Sequence, residues 1–196
     1  MNFLSNLFQR KASVENVAKD EILSQRPTET TAKTKQQAFI RDFLKPLLKA
    51  EGYKTAGNKW WKVNEPFFNF IELQNFSWNS RNSVDFTFNF TTGFINQVEN
   101  AHKPTIHDGL AYVRESYFGV TKNDCWKGLN GYHIDDTTDL MSFSEQVIND
   151  FKLLILPKFT LLTDEDSIAN FYSDNFWGPR VKQSLKLGYK NLGLDD

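Results

Sequence analysis

The sequence contains a single cysteine, Cys125, so no disulfide can form within the chain. A lone thiol is typical of proteins in reducing compartments. No apolar stretch approaches the roughly 18 residues that a membrane-spanning helix needs. In residues 1–10 the apolar residues precede the charged ones, which is the reverse of the order in a signal peptide. We therefore expect a cytoplasmic protein with no membrane span.

The chain also lacks a net excess of charge, because 23 basic residues oppose 24 acidic ones and the net charge is -1. The charges are nevertheless uneven: residues 33–62 are mainly basic and residues 135–166 mainly acidic. A basic helix leading to Trp60 and Trp61 would suit single-stranded nucleic acid, with cations on phosphates and rings under bases. We favour the other interpretation, in which the acidic helices offset a solvated basic face, and nucleic acid is not the expected partner.

Standard catalytic signatures are missing, including phosphate-binding glycine loops, nucleophile elbows, paired cysteines and zinc-binding helix motifs. His102 and His107 lie on either side of Pro104, with Asp108 adjacent, and a metal or general-base role would require a third ligand or an orienting partner. We interpret them as solvated loop residues. His133 and Asp135 are interpreted as part of an exposed acidic loop. Cys125 is expected to be a buried, unreactive residue. We predict no cofactor and no metal.

Aromatic residues are abundant, with 18 Phe and five Trp, and most fall between residues 53 and 94. Because aromatic residues favour strands, this stretch is predicted to be sheet. The predicted strands are residues 59–63, 67–75 and 83–91, and the last alternates apolar with polar residues without error. Short turn segments between them favour an antiparallel meander. We expect the polar face of the third strand to contact water.

Helical patterns flank this sheet region. Residues 39–48 form an apolar stripe on a helix that ends at Gly52, with a kink but not a break expected near residues 42–46 because of Pro46. Two further helices are predicted to begin at a capping box starting at Ser142 and at the acidic segment after Thr163. Between residues 93 and 139 the pattern is weak, and residues 111–121 and 124–129 are each assigned a further strand. The order predicts an α+β fold, an antiparallel β-meander packed against N-terminal and C-terminal helices.

The same patterns suggest three parts of the chain. Residues 1–32 are interpreted as a helical arm and linker, whose order the sequence leaves open and through which copies of the chain could form a homo-oligomer. Residues 33–178 are predicted to be one α+β domain. Residues 179–196 are predicted to be a C-terminal tail with a short helix.

Several short motifs resemble a known family when they are taken in order. They are Phe43-Leu-Lys-Pro-Leu-Leu-Lys-Ala-Glu-Gly-Tyr-Lys, Trp60-Trp61, Ile71-Glu-Leu-Gln74, Phe86-Thr-Phe-Asn-Phe, Arg114, Asp124-Cys-Trp126 and Leu156-Pro-Lys-Phe159. Over residues 33–172 this series resembles the bacterial domain of unknown function numbered 4304. The resemblance implies a soluble bacterial α+β domain and supplies no activity.

Five candidate binding residues are marked both by the resemblance and by their chemistry: Trp60, Trp61, Gln74, Arg114 and Trp126. Richness in aromatic residues without a catalytic constellation favours a protein-interaction module of the immunity or accessory kind. The alternative is a domain that binds a small ligand or nucleic acid. A third hypothesis, an enzyme, requires Arg114 and Gln74 to converge with a histidine.

Overall fold

A six-stranded antiparallel sheet forms the centre of the molecule, and in the computed structural model residues 30–100, 103–174 and 176–192 are described. The strands are β1 (Lys54–Ala56), β2 (Lys59–Asn64), β3 (Phe67–Asn75), β4 (Ser83–Phe94), β5 (Ala111–Arg114) and β6 (Tyr132–Asp135). Strands β1 to β5 are neighbours in chain order, and β6 pairs with β4. The predicted α+β fold with an antiparallel meander is confirmed.

Helices precede and follow the sheet in the sequence. They are α1 (Ala32–Phe39), α2 (Lys45–Ala50), α3 (Leu140–Asp150), α4 (Leu156–Phe159), α5 (Glu165–Phe171) and α6 (Gly178–Leu192). The arm predicted for residues 1–32 lies outside the described residues up to position 29, and the domain boundaries stay predictions. No helix in the described part is both long and apolar enough to cross a membrane.

Two proline residues lie within helical segments instead of ending them. A π-helical turn (Ile40–Leu44) joins α1 to α2 ahead of Pro46, and another (Phe151–Ile155) joins α3 to α4 ahead of Pro157. In the first turn the N–H of Lys45 bonds the carbonyl of Ile40, five residues earlier. Because proline has no N–H to donate, a locally wider turn lets the chain stay helical through it.

The main core lies between the helices and one face of the sheet. Phe86, Phe88 and Phe90 of β4 all point to this face and are fully buried. Their rings contact helix aromatics, with centroids 4.9 Å apart for Phe88 and Phe151 and 5.4 Å apart for Phe90 and Phe159. Each such ring contributes roughly 2 kcal/mol by leaving water. The apolar half of the alternation in β4 therefore packs as the sequence predicts.

The prediction for the polar half of β4 is wrong. The side chains of Asp85, Thr87, Asn89 and Thr91 are all buried, although the sequence suggested a face open to water. Other polar groups cover them and form hydrogen bonds with them, although Oδ1 of Asn89 has no partner among the described residues. Alternation alone cannot reveal this cover. This second face carries the candidate site.

Four local predictions also need correction. Residues 124–129 form a turn and not a strand, and of residues 111–121 only Ala111–Arg114 are extended. His133, which we placed in an exposed loop, lies in β6. Helix α3 begins at Leu140 because Asp139, and not Ser142, is its N-cap, with its side chain accepting the N–H of Ser142.

Candidate functional site

The second face of the sheet holds a buried carboxylate at a gap between strands. One edge of β4 pairs with β6 through residues 83–86 and with β5 through residues 89–92, which leaves Phe88 without a strand partner there. Glu115, which directly follows β5 and is fully buried, fills this gap. Its carboxylate accepts the backbone N–H of Phe88 at 2.8 Å and lies 2.7 and 2.8 Å from the hydroxyl of Thr87.

This environment changes the titration of Glu115. Burial raises the pKa of its carboxyl, while the hydrogen bonds from Thr87 and Phe88 and the charge of Arg114 act in the opposite direction. Asn130 also donates to the carboxylate at 3.2 Å and so ties the 122–131 loop to the same gap. Glu115 thus holds β5, β4 and this loop together.

A second buried carboxylate, Asp85, organises the next part of the face. Nδ1 of His133 lies 2.7 Å from Oδ1 of Asp85, in the strand opposite. The other oxygen, Oδ2, accepts the indole N–H of Trp78 at 2.6 Å and the backbone N–H of Trp126 at 3.4 Å. With two oxygens occupied by three donors, Asp85 fixes the position of groups from three separate segments.

Aromatic side chains extend from this carboxylate to the surface. The rings of Phe76 and Trp78 stack with centroids 4.6 Å apart, and Trp126 lies 5.3 Å from Trp78. Trp78 is 40% exposed and Trp126 is 53% exposed. Lys127 places its Nζ atom 4.1 Å from the centroid of the Trp126 ring. Large aromatic side chains that are held in place and yet exposed are typical of recognition surfaces.

A cavity of about 300 Å³ lies among these groups and is open to solvent. We call it the Trp78–Trp126 pocket, and its lining residues are Trp78, Ser83, Asp85, Asp124, Trp126 and His133. Nε2 of His133 lies 3.7 Å from the carboxylate of Asp135 at the pocket margin. Hydrogen bonds from Thr137 and Thr138 lower the pKa of Asp135 to about 2, so this carboxylate is ionised at neutral pH.

Two of the five residues proposed from the sequence, Trp60 and Trp61, are packing residues. As consecutive residues of β2 they point to opposite faces. Trp60 is part of the main core, and Trp61 packs with Phe68 and Phe70 in a smaller apolar cluster on the second face. Both indole N–H groups are buried without a hydrogen-bond partner in the described structure. Neither ring offers a surface on which a base could stack.

The other three proposed residues share the second face but do not meet at one point. Gln74 is exposed and accepts a hydrogen bond from the side chain of Asn89 at 2.9 Å. Arg114 pairs with Asn89 from the opposite side, across the β4–β5 ladder. Trp126 lies at the Asp85 end of β4, in the Trp78–Trp126 pocket. Contact of Gln74 or Arg114 with a ligand stays a prediction.

Of the six residues that line the pocket, only Trp126 is a binding residue predicted from the sequence. The sequence assigns His133 to an exposed loop, and Trp78 and Asp85 are not among the candidates. The sequence does contain one signal for Trp78, which lies next to the predicted turn segment 79–82. A tryptophan in that position is either held by specific contacts or exposed on the surface, and both are features of a binding residue. Asp85 and His133 gave no comparable signal, because they are 48 positions apart and meet only through the β4–β6 pairing.

Among the described residues, the remaining polar candidates do not form a metal site and do not line the Trp78–Trp126 pocket. Cys125 is buried, as expected, and burial together with the nearby Asp85 raises its pKa to about 12. His102 lies outside the described residues, and His107 belongs to a single 3₁₀ turn. In the described part of the chain, no three His, Cys, Asp or Glu side chains are arranged to hold a metal ion.

A larger cavity of about 610 Å³ lies at the start of α1. Its lining includes Lys33 and Arg81, which would favour an anion, and a helix start can offer free N–H groups. Here, however, the N–H of Lys33 bonds the carbonyl of Arg81 and the N–H of Thr34 bonds the hydroxyl of Thr31. With those donors occupied, the Trp78–Trp126 pocket is the stronger candidate.

Comparison with known proteins gives one match. The sequence pattern of the family described as domain of unknown function (DUF4304) matches residues 44–161, which is more than half of the chain. No curated protein and no solved structure matches this chain. The matched span contains all six strands and every residue of the Trp78–Trp126 pocket. The family resemblance drawn from the sequence motifs is thus confirmed, and the chain belongs to this family of domains of unknown function.

Proposed function

We propose that this protein is a protein-interaction module and that the Trp78–Trp126 pocket is its contact surface. The supporting observation is the exposure of two tryptophans that the fold nevertheless holds in place. Trp78 is fixed by its hydrogen bond to Asp85 and its stack on Phe76, and the backbone of Trp126 is tied to the same carboxylate. Side chains ordered in advance lose little entropy on binding, which is why tryptophan dominates the energetics of many interfaces.

The size of the pocket favours a second candidate, the binding of a small ligand. Small-molecule sites usually begin at about 300 Å³, the volume of this cavity. Such sites normally enclose most of their ligand, whereas here both tryptophan rings are widely exposed. A surface that contacts a partner and receives one of its side chains fits this shape better.

The proposal is tested with Trp126→Ala, which removes the exposed ring and keeps the backbone N–H that bonds Asp85. Leu153→Ala is the matched control, because Leu153 is 72% exposed and lies in the helix layer. The full chain and both variants are cross-linked in lysate of the source organism, and captured proteins are quantified by mass spectrometry. We expect Trp126→Ala to lose a specific partner that wild type and Leu153→Ala retain.

Equal capture by wild type and Trp126→Ala would contradict the proposal. Circular dichroism and urea unfolding of each variant establish that a loss of capture reflects the surface and not the fold. Truncating a tryptophan at the centre of an interface typically costs about 2 kcal/mol or more, a reduction in affinity of roughly 30-fold.

A further inference from the structure

We propose that the Trp78–Trp126 pocket receives a positively charged side chain, a lysine or an arginine, from an exposed segment of a partner protein. This inference rests on the proposed function and adds the chemistry of the partner. It follows from the charges that line the pocket, from the faces of its two tryptophans and from a lysine of the chain itself.

The first argument is the charge of the lining. Asp85 and Asp124 line the pocket, and Asp135 lies at its margin beside His133. Asp85 already accepts hydrogen bonds from neighbouring groups, but Asp124 is exposed and has no hydrogen-bond or ion-pair partner among the described residues. An anion would meet these carboxylates, whereas a cation would find an unpaired one.

The nearby cations do not cancel this charge. Lys122 lies 3.9 Å from Asp150, a carboxylate outside the pocket lining, and so is directed elsewhere. Lys127 lies against the ring of Trp126. His133 is hydrogen-bonded to Asp85 and faces Asp135 with its other nitrogen. The opening of the pocket therefore keeps a negative character.

The second argument is the aromatic surface. The face of a tryptophan ring carries the negative part of its quadrupole and attracts cations more strongly than the other aromatic side chains. The indole N–H of Trp78 donates to the ionisable carboxyl group of Asp85 at 2.6 Å, and a carboxylate there increases the electron density of the ring. The pocket thus combines cation-attracting rings with an unpaired acid.

Lys127 supplies the third argument. Its ammonium lies 4.1 Å from the centroid of Trp126, so this ring already holds a cation within the chain. Trp126 and Trp78 are tilted by 51° with centroids 5.3 Å apart, so the two rings contact each other, and a second cationic side chain that enters the pocket would meet their exposed parts together with Asp124. The long apolar stem of a lysine or arginine would pack on the indoles while its charged end meets the acid.

The test uses the full chain, labelled with ¹⁵N, and four short peptides. The probes are acetyl-Gly-Lys-Gly-amide and acetyl-Gly-Arg-Gly-amide, and the controls carry norleucine or glutamate at the central position. Indole N–H signals of Trp78 and Trp126 are assigned with Trp→Phe variants and followed in NMR titrations. We expect the two cationic peptides to shift both signals with a Kd of about 1 mM, and high salt to weaken the effect.

A matched pair of variants tests whether the charge of Asp124 is responsible for binding the cationic peptides. Asp124→Asn and Asp166→Asn each remove one negative charge, the first in the pocket and the second on an exposed position of α5. We expect Asp124→Asn to weaken the binding of the lysine peptide by about threefold and Asp166→Asn to leave it unchanged. Three results would overturn the inference. They are an equal loss of affinity in Asp124→Asn and Asp166→Asn, equal affinity for the norleucine and lysine peptides, and no change of the indole signals with any peptide.

Failure of the charge inference can be distinguished from failure of the proposed function. If the cationic peptides do not bind but Trp126→Ala still loses a captured partner, the charge inference is wrong and the interaction surface stands. If Trp126→Ala keeps its partners, the proposed function itself is wrong. Binding of tetramethylammonium without binding of either cationic peptide would overturn the protein partner in favour of a small cationic ligand.

Discussion

Nδ1 of His133 lies 2.7 Å from Oδ1 of Asp85, and this contact joins the last strand of the sheet to the polar face of β4. The same carboxylate accepts the indole N–H of Trp78 and the backbone N–H of Trp126. A single buried aspartate therefore bonds both segments that carry the tryptophans of the pocket. Loss of this carboxylate is expected to affect both the stability of the fold and the proposed contact surface.

We expect Asp85→Ala to lower the free energy of unfolding by about 3 kcal/mol, because it leaves buried or half-buried donors of Trp78 and His133 without their acceptor. Urea unfolding measures the loss. The indole N–H signal of Trp78 should also move and broaden in NMR spectra, because its hydrogen bond is gone.

Asp136→Ala is the control, since Asp136 is an exposed residue in the turn that directly follows β6, the strand of His133. It should change the free energy of unfolding by less than about 0.5 kcal/mol. A similarly small change for Asp85→Ala, with the Trp78 signal unmoved, would show that the carboxylate does not organise the pocket.

The sheet could be predicted from the sequence but the candidate site could not, and strand β4 shows why. Alternation along residues 83–91 assigns Phe86 and Phe88 to one face and Asp85 and Thr87 to the other. It cannot say what covers the second face. The covering groups come from far along the chain: Glu115 is 28 positions from Thr87, and His133 is 48 positions from Asp85.

The two adjacent tryptophans show the converse case, in which residues predicted to bind prove to be packing residues. Trp60 and Trp61 drew attention as a pair, but neighbouring residues of a strand point to opposite faces, and both faces of β2 are covered. Trp78 and Trp126 are far apart in the sequence, and the fold brings them together. Proximity in sequence was therefore a poor guide to a shared surface.

The thiol of Cys125 should be unreactive in the folded protein. Its pKa is raised to about 12 by burial and by nearby carboxylates, and its Sγ atom lies 3.4 Å from the carbonyl of Tyr132. Since the thiolate is the reactive form, we expect alkylation by iodoacetamide at about pH 8 to be at least 10²-fold slower in the native chain than in guanidinium. Mass spectrometry measures both rates, and equal rates would refute the buried position of Cys125.

Two glycines of the loop that carries Trp126 should respond differently to alanine. A Cβ atom at Gly131 would lie 2.7 Å from the carbonyl oxygen of Phe86 and 2.8 Å from Sγ of Cys125. At Gly128 a Cβ atom would meet nothing within 4 Å. We expect Gly131→Ala to cost about 3 kcal/mol or more and Gly128→Ala about 1 kcal/mol, the usual penalty for a left-handed residue.

Thermal and urea unfolding distinguish the two glycine variants, and the NMR signal of the Trp126 indole reports on the loop itself. That signal should move in Gly131→Ala because the clash with β4 displaces the loop. Equal costs in the two variants would mean that the loop does not pack against Phe86 as closely as the structure has it.

Glu115 should make the stability of the protein fall as the pH rises. Burial raises the pKa of its carboxyl above the ordinary value of 4.5, so the folded state holds this proton more tightly than the unfolded state does. The favourable contribution is complete below the pKa of the unfolded state and is lost as the pH rises through the higher pKa of the folded state. Glutamine does not titrate, so comparison with Glu115→Gln isolates the effect.

We therefore expect the free energy of unfolding of wild type, minus that of Glu115→Gln, to decrease as the pH rises above about 4.5, the ordinary pKa of glutamate, and to level off above the raised pKa of the folded state. Glu145→Gln makes the same exchange at an exposed position and provides the matched control. A difference that grows with pH would mean that the bonds from Thr87 and Phe88 outweigh burial, and that the gap in the edge of β4 is filled by a carboxylate stabilised in its ionised form. In either case the slope of this difference against pH shows in which protonation state Glu115 holds β4 and β5 together.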